Sequence, residues 1–398
     1  MKHILMVCYG GGHMKVLAPL YAELAERYRV TVLALTSAGA YMRKLGIPSL
    51  GFKDFAFTGS YEIQAYGQRL AADIPDNGVV PREETVAYLG ASFIDLVNQL
   101  GDECAAYEQY LEKGRAAFLP VASLRKMIDE LHVDAVVTTN APRAERAALI
   151  VARTLNLPTI CVNDNLWLRG GIADVAENQL ADRICVLSES VRQELILKTS
   201  VDPDVVVVTG TPVFDAIKKT PRVRSESNIP RVLLADCDLP DVHPYLDLRS
   251  IVPGIGEAVR AELNRLSAAG VVDVWFRPHP SQIYDYSAYS ACHVSEPHEN
   301  LHERLARTDI VVTAISTVGI EGRAMGLGLV SIEDTVWSAL ESYEVAGYST
   351  GIRNPDHLMS AIMKEYTSLR EETPKLYKGF ASNNIALVIE DLLSRFDN

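Results

Sequence analysis

The sequence predicts an α/β fold of two doubly wound, mainly parallel sheets, and three observations carry that expectation. Short apolar runs of strand length alternate with helix-period segments along the whole chain, the pattern of parallel strands joined by crossover helices. Several of these runs lead straight into glycine, hydroxyl or proline residues, the punctuation expected where a parallel strand meets its loop. A polar, aperiodic stretch from Lys218 to Pro230 splits the series, and a fresh strand, Arg231-Val232-Leu233-Leu234-Ala235, follows it.

Taken in order, Ile4-Leu5-Met6-Val7-Cys8 reads as a buried strand followed at once by Tyr9-Gly10-Gly11-Gly12-His13. The glycines let the backbone approach a ligand, so Gly11 and Gly12 are expected near phosphate, and Val16, Leu17, Leu20 and Leu24 give the next helix its apolar face. The run is neither the G-x-G-x-x-G dinucleotide fingerprint nor a phosphate loop ending in G-K-[ST]. From Gly51 to Pro81 no period is visible, which predicts an irregular insertion over the first sheet, extending to about residue 120. Ala135-Val136-Val137-Thr138-Thr139-Asn140, a helix from Ala144 to Leu155, and Thr159-Ile160-Cys161-Val162-Asn163-Asp164 then read as a β-α-β unit. Arg183 to Leu187 and Val205 to Val208 repeat the theme, the latter leading into Thr209-Gly210-Thr211-Pro212. The last helix, Asn384 to Phe396, is amphipathic and is expected to pack back on a domain. The resulting division is 1–217 as an acceptor domain, 218–230 as linker, 231–380 as a nucleotide-donor domain and 381–398 as the returning helix.

Composition sets limits on function. The chain has 398 residues, room for two domains, and its 48% hydrophobic content contains no run long enough to cross a bilayer. Met1-Lys2-His3 leads directly into the first strand, leaving no space for a signal peptide, so a cytoplasmic location is expected. Six cysteines occur singly, without C-x-x-C spacing, and zinc is not expected. A net charge of −13 argues against a nucleic-acid partner. A phosphate ligand therefore needs local cations, for which Arg277, Arg143, Arg169 and helix N-termini are available.

Two segments of the second half carry chemistry. Ile310-Val311-Val312-Thr313 runs into Ser316-Thr317-Val318-Gly319-Ile320-Glu321, placing small hydroxyl residues and a glycine at a helix start, where exposed N–H groups and the helix dipole attract an anion. Glu321 stands one turn beyond Thr317, so Thr317 suits a phosphate and Glu321 a ribose hydroxyl pair. The plainer reading is that Ser316 and Thr317 only cap the helix. Upstream, Val272-Asp273-Val274-Trp275-Phe276 ends in Arg277-Pro278-His279-Pro280, where two prolines fix the backbone around an imidazole at a strand end. A formal D-x-D, Asp236-Cys237-Asp238, is not at a convincing strand end, and no metal or other cofactor is expected to be required.

These motifs together resemble the GT-B superfamily of nucleotide-sugar enzymes, two doubly wound domains with a cleft between them. Gly10-Gly11-Gly12-His13 is similar to the glycine-loop histidine of inverting N-acetylglucosaminyltransferases, and Thr209 to Asp215 to the end of their first domain. Arg277-Pro278-His279-Pro280 with Ser316-Thr317 resembles the motifs of CDP-glycerol glycerophosphotransferases and CMP-sugar transferases. Through the middle the chain is similar to UDP-N-acetylglucosamine 2-epimerases, but Asn140 and Asp164 stand where that family carries Asp and Glu, and its G-T-R-P motif is absent.

The resemblance implies a glycosyltransferase moving a sugar from a UDP-, CDP- or CMP-linked donor to a hydroxyl acceptor, in bacterial surface polysaccharide or glycoconjugate synthesis, with peripheral membrane contact compatible with that role. Such a reaction needs donors at the leaving phosphate and one base at the acceptor. Ser316, Thr317, Arg277 and His279 would serve the phosphate, Glu321 the ribose, and backbone near Ser295-Glu296-Pro297 the base of the nucleotide. Asp164 is the first candidate for the catalytic base, with His13 and Glu145 behind it. Their plainer roles are a helix cap, a loop contact and a surface pair with Arg143 or Arg146. Two rivals stay open: an epimerase-like or hydrolytic enzyme using Asp164 and Glu177, and a non-catalytic nucleotide-sugar-binding subunit.

Overall fold

A computed structural model describes residues 1–75, 78–163, 171–218, 220–223, 227–237, 239–244, 246–279, 284–296, 299–339, 342–371 and 380–396. The chain separates into two compact units, Met1–Asp215 with Tyr377–Asn398, and Ala216–Leu376.

The first unit is built on six strands, β1 (His3–Tyr9), β2 (Arg29–Leu35), β3 (Ala135–Thr138), β4 (Thr159–Val162), β5 (Arg183–Val186) and β6 (Val206–Val208). All neighbours pair in parallel, in the order β2-β1-β3-β4-β5-β6. Side chains alternate across β1: Leu5 and Val7 enter one core while Ile4, Met6 and Cys8 enter the other, which is why the strand reads as a continuous apolar run. Its helices are α1 (Gly11–Ala25), α2 (Ser37–Lys44), α3 (Tyr61–Ala71), α4 (Arg82–Leu100), α5 (Glu103–Lys113), α6 (Val121–Leu131), α7 (Ala144–Thr154), α8 (Ile172–Glu177), α9 (Glu189–Thr199) and α10, which begins at Asp215.

The segment expected to be irregular, Gly51 to Pro81, is instead organised. It holds two 3₁₀ turns, Phe52–Asp54 and Ala56–Gly59, and then α3, whose N-cap Ser60 accepts from the Ile63 amide. The period was hidden because the buried face of α3 includes Gly67, and a glycine counts as nothing in a hydrophobic pattern. A Cβ on Gly67 would lie 2.1 Å from the Val86 carbonyl oxygen and one on Gly90 1.9 Å from that of Ile63. The two glycines therefore let the α3 and α4 backbones touch. Phe52, Phe55, Tyr88, Phe93 and Phe118 fill the core beneath.

Within that core, Glu84 is 5% exposed and accepts from the Phe52 and Lys53 amides at 3.1 and 3.0 Å. Burial pushes its carboxyl up to about 7, against the opposing pull of the two amides.

The C-terminal helix, α15 (Ala381–Phe396), packs Ile385, Ile389, Leu392 and Leu393 into the α1 side of this sheet. Its start is fixed by Asp215, a buried carboxylate that accepts from the Ala381 and Ser382 amides at 2.8 Å each and from the Ser382 hydroxyl at 2.5 Å.

The second unit carries β7 (Arg231–Ala235), β8 (Asp273–Arg277), β9 (His293–Val294), β10 (Ile310–Thr313), β11 (Gly328–Ile332) and β12 (Thr350–Ile352). They form a second all-parallel sheet in the order β12-β11-β10-β7-β8-β9. Helices α11 (Ile255–Ala268), α12 (Leu301–Ala306), α13 (Thr317–Ala324) and α14 (Leu358–Glu371) connect the strands. In the stretch expected as linker, Arg222 pairs with Asp309 at 3.3 Å and the Val223 amide donates to the Ala306 carbonyl, so this part is bonded to the second unit.

Each sheet has one place where the winding reverses, between β1 and β3 in the first and between β7 and β10 in the second. Loops leaving adjacent strands there turn to opposite faces and open a crevice, the usual ligand position in open α/β sheets.

Candidate functional site

At the crevice of the first unit, β1 ends in Tyr9 and Gly10 turns the chain into α1. Gly10 has φ +89°, a conformation that any side chain would strain, and this turn brings Gly11 and Gly12 onto the first turn of α1 with His13. From the neighbouring strand, β3, the chain continues through Thr139 and Asn140 to α7. The Thr139 hydroxyl lies 3.0 Å from His13 Nδ1 and 3.3 Å from Glu145 Oε1, and the Tyr9 amide donates to the same oxygen at 2.6 Å.

A hydroxyl has one proton. If Thr139 donates to Glu145 it must accept from His13, so Nδ1 carries the imidazole proton and Nε2 is the basic nitrogen. Glu145 is wholly buried, and burial raises its carboxyl above the ordinary range while the nearby His13 charge pulls it down. This corrects one expectation. Glu145 is no surface partner of an arginine, because Arg146 pairs with Asp174 at 2.5 Å and Arg143 lies over the Tyr9 ring at 4.2 Å. Glu145 has no exposure, and the Thr139 hydroxyl stands between its carboxylate and His13. Asp164, the first candidate base, lies outside the described residues, as does Arg169. Glu177 is the exposed last residue of α8.

In the second unit, Ser316 is the N-cap of α13 and accepts from the Val318 amide at 3.4 Å. The capping role is thus realised for Ser316, while Thr317 stands exposed on the first turn. Tyr343 steadies the approach by donating to the carbonyls of Ile315 and Ser316, each at 3.0 Å. Glu321, one turn on, is half-buried and meets His302 Nε2 at 3.3 Å. Arg277 at the end of β8 donates to the Glu299 carbonyl at 3.1 Å, and its other terminal nitrogen, Nη1, is buried without a hydrogen-bond partner. His279 is exposed; Ser295 is buried, its amide bonded to the Phe276 carbonyl; Pro280 and Pro297 lie outside the described residues.

The D-x-D at Asp236 is structural in its described half. Asp236 is held by Arg260 through two bonds of 2.8 and 2.9 Å and by the Tyr286 hydroxyl at 2.8 Å. Among the described residues no group of three acidic, histidine or cysteine side chains could hold a metal ion.

Sequence reasoning did not single out Thr139, and only the fold brings it between His13 and Glu145. A signal for Glu145 did exist. It occupies the face of α7 that carries Ala148, Leu149 and Ala152, all buried, and a carboxylate on an apolar face is expensive unless something uses it.

No protein-family model matches the chain, and no curated protein sequence does. Solved structures match over nearly its full length. The UDP-GlcNAc 2-epimerase from Methanocaldococcus jannaschii is similar with a TM-score of 0.58 at 13% identity, covering 98% of this chain and 99% of that one. MurG from Acinetobacter baumannii gives 0.56 at 14% identity over 98% and 100%. The glycotransferase of kitacinnamycin gives 0.55 at 15% identity over 98% and 99%. Likeness at such identities shows the fold alone, a GT-B-type fold of two α/β units, each on a parallel six-stranded sheet.

Proposed function

We propose that the protein is a nucleotide-sugar-dependent glycosyltransferase. The observation that carries this reading is the chain from His13 through the Thr139 hydroxyl to buried Glu145 at the crevice of the first unit. Transfer of a sugar to a hydroxyl requires a base that removes the acceptor proton as the anomeric carbon is attacked. His13 Nε2 is that base, and Glu145 stabilises the imidazolium through Thr139. Proton removal is needed only in the transition state, so the arrangement acts on turnover rather than on binding.

The donor nucleotide belongs to the second unit. The first-turn amides of α13 and the Thr317 hydroxyl face its phosphates with Arg277 and His279 as cationic support, and Glu321 accepts from the ribose. These groups supply the positive field a leaving phosphate needs, so the proposed reaction uses no resident metal or other cofactor.

The epimerase reading has support in the full-length likeness to a UDP-GlcNAc 2-epimerase. Against it stands Asn140, an amide that cannot exchange a proton where that family carries a carboxylic acid. Incubation with a UDP-, CDP- or CMP-sugar alone separates the two. The transferase leaves the donor sugar unisomerised and releases nucleotide quickly only when a hydroxyl acceptor is added. Rapid isomerisation at C2 without acceptor would replace this proposal with the epimerase.

A further inference from the structure

The geometry points to His302 as a positioning residue of the donor site: its imidazole holds the Glu321 carboxylate ready for the ribose diol and so sets the preference for ribonucleotides. This deepens the donor reading and rests on Glu321 being the ribose acceptor.

The two side chains come from the helices on either side of β10. His302 stands in the first turn of α12, which leads into β10, and Glu321 in the second turn of α13, which leaves it. Asn300, the N-cap of α12, accepts from the His302 amide at 2.9 Å and the Glu303 amide at 3.4 Å, which fixes the backbone that carries the imidazole. His302 Nε2 lies 3.3 Å from Glu321 Oε2. A proton on Nε2, present in the imidazolium and in one neutral tautomer, donates to the carboxylate there.

The partner a carboxylate has decides what else it can bind. Elsewhere in this chain arginine forks hold carboxylates through two guanidinium nitrogens: Arg146 holds Asp174, Arg231 holds Asp309 and Arg260 holds Asp236. A fork spans both oxygens and leaves a ligand little to gain. Glu321 meets an imidazole nitrogen instead, although Arg323 stands two residues along the same helix. That arginine is turned to Glu365 at 2.9 Å and to the Tyr348 and Leu327 carbonyls at 2.7 and 3.1 Å. A carboxylate has about four acceptor positions on its two oxygens, so a bond from His302 is compatible with further bonds from a diol.

Burial makes the imidazole matter. The Glu321 side chain is only 17% exposed, and a carboxylate so far from water needs donors from the protein. Holding it in place before the nucleotide arrives also removes rotamer entropy that binding would otherwise lose. His302 therefore acts through Glu321, and its effect is confined to ligands that carry the ribose hydroxyls.

Calorimetry with UDP, CDP and CMP, each beside its 2′,3′-dideoxy form, tests this. The parent prefers the ribonucleotide it binds over the dideoxy form by about tenfold or more, the worth of a hydrogen bond to a charged group. In His302→Leu that preference shrinks by about threefold or more as one donor to the carboxylate is lost, and the dideoxy affinity stays that of the parent. His302→Gln, whose amide still donates, keeps most of the preference. A His302→Leu protein with an undiminished preference, or one that loses affinity for both forms alike, overturns the positioning role. Glu321→Gln separates this from failure of the donor reading. If it abolishes the preference while His302→Leu does not, Glu321 still binds ribose and only the role of His302 falls. If Glu321→Gln retains the preference, or the parent binds none of the three nucleotides, both fall together.

Discussion

Replacing His13 by Gln lowers the rate of sugar transfer by about 10²–10⁴-fold, the usual contribution of a positioned general base, and leaves donor nucleotide affinity unchanged. Gln keeps a polar group near Thr139 but has no basic nitrogen for the acceptor proton. Thr139→Val is the sharper companion. It keeps the side-chain shape and breaks the link between His13 and Glu145, which lie on either side of that hydroxyl at 3.0 and 3.3 Å. The imidazolium then loses its stabilising partner, and the acidic limb of the pH–rate profile moves to lower pH as turnover falls. A Thr139→Val enzyme with reduced turnover but an unmoved profile assigns the hydroxyl a packing role only.

The second large effect concerns stability and has its origin in Glu84. Its carboxyl titrates at about 7 in the folded chain against an ordinary 4.5. Below 4.5 both states are protonated and the group costs nothing. Between 4.5 and 7 the unfolded chain ionises while the folded one keeps its proton, so stability falls as pH rises. Above 7 the loss is complete, about 3 kcal/mol at 1.36 kcal/mol per pH unit. Urea unfolding at pH 4.5 and pH 8 therefore shows a drop in the parent that Glu84→Gln lacks, by about that amount. The comparison reads only the change with pH, because Gln cannot accept from both the Phe52 and Lys53 amides as the carboxylate does. Equal pH dependence in the two proteins contradicts a buried, proton-retaining Glu84.

The sheets were legible in the sequence for a definite reason. A parallel strand covered on both faces is apolar along its middle, and β1, β3, β4, β7 and β10 are of this kind, with their polar residues kept to the ends. The loop glycines before His13 and the cap at Ser316 were legible too, since both follow from local backbone chemistry. The packing of α3 on α4 was not, because Gly67 and Gly90 contribute by having no side chain. Nor was the chain from His13 to Glu145, whose members are 126 and 6 residues from Thr139; sequence spacing cannot report which loops a sheet order makes neighbours. Glu145 was a visible residue with an invisible environment.

The central claim, that the second unit binds an activated nucleotide, is tested most directly by calorimetric titration with UDP, CDP and CMP. The parent and the Thr317→Val and Glu321→Gln variants are titrated side by side. One nucleotide binds the parent, and each variant binds it more weakly by roughly 1–3 kcal/mol, the worth of a hydrogen bond to a charged group. If no nucleotide binds the parent, or both variants bind as it does, Ser316 and its helix serve only as a cap and the account of the donor site is wrong.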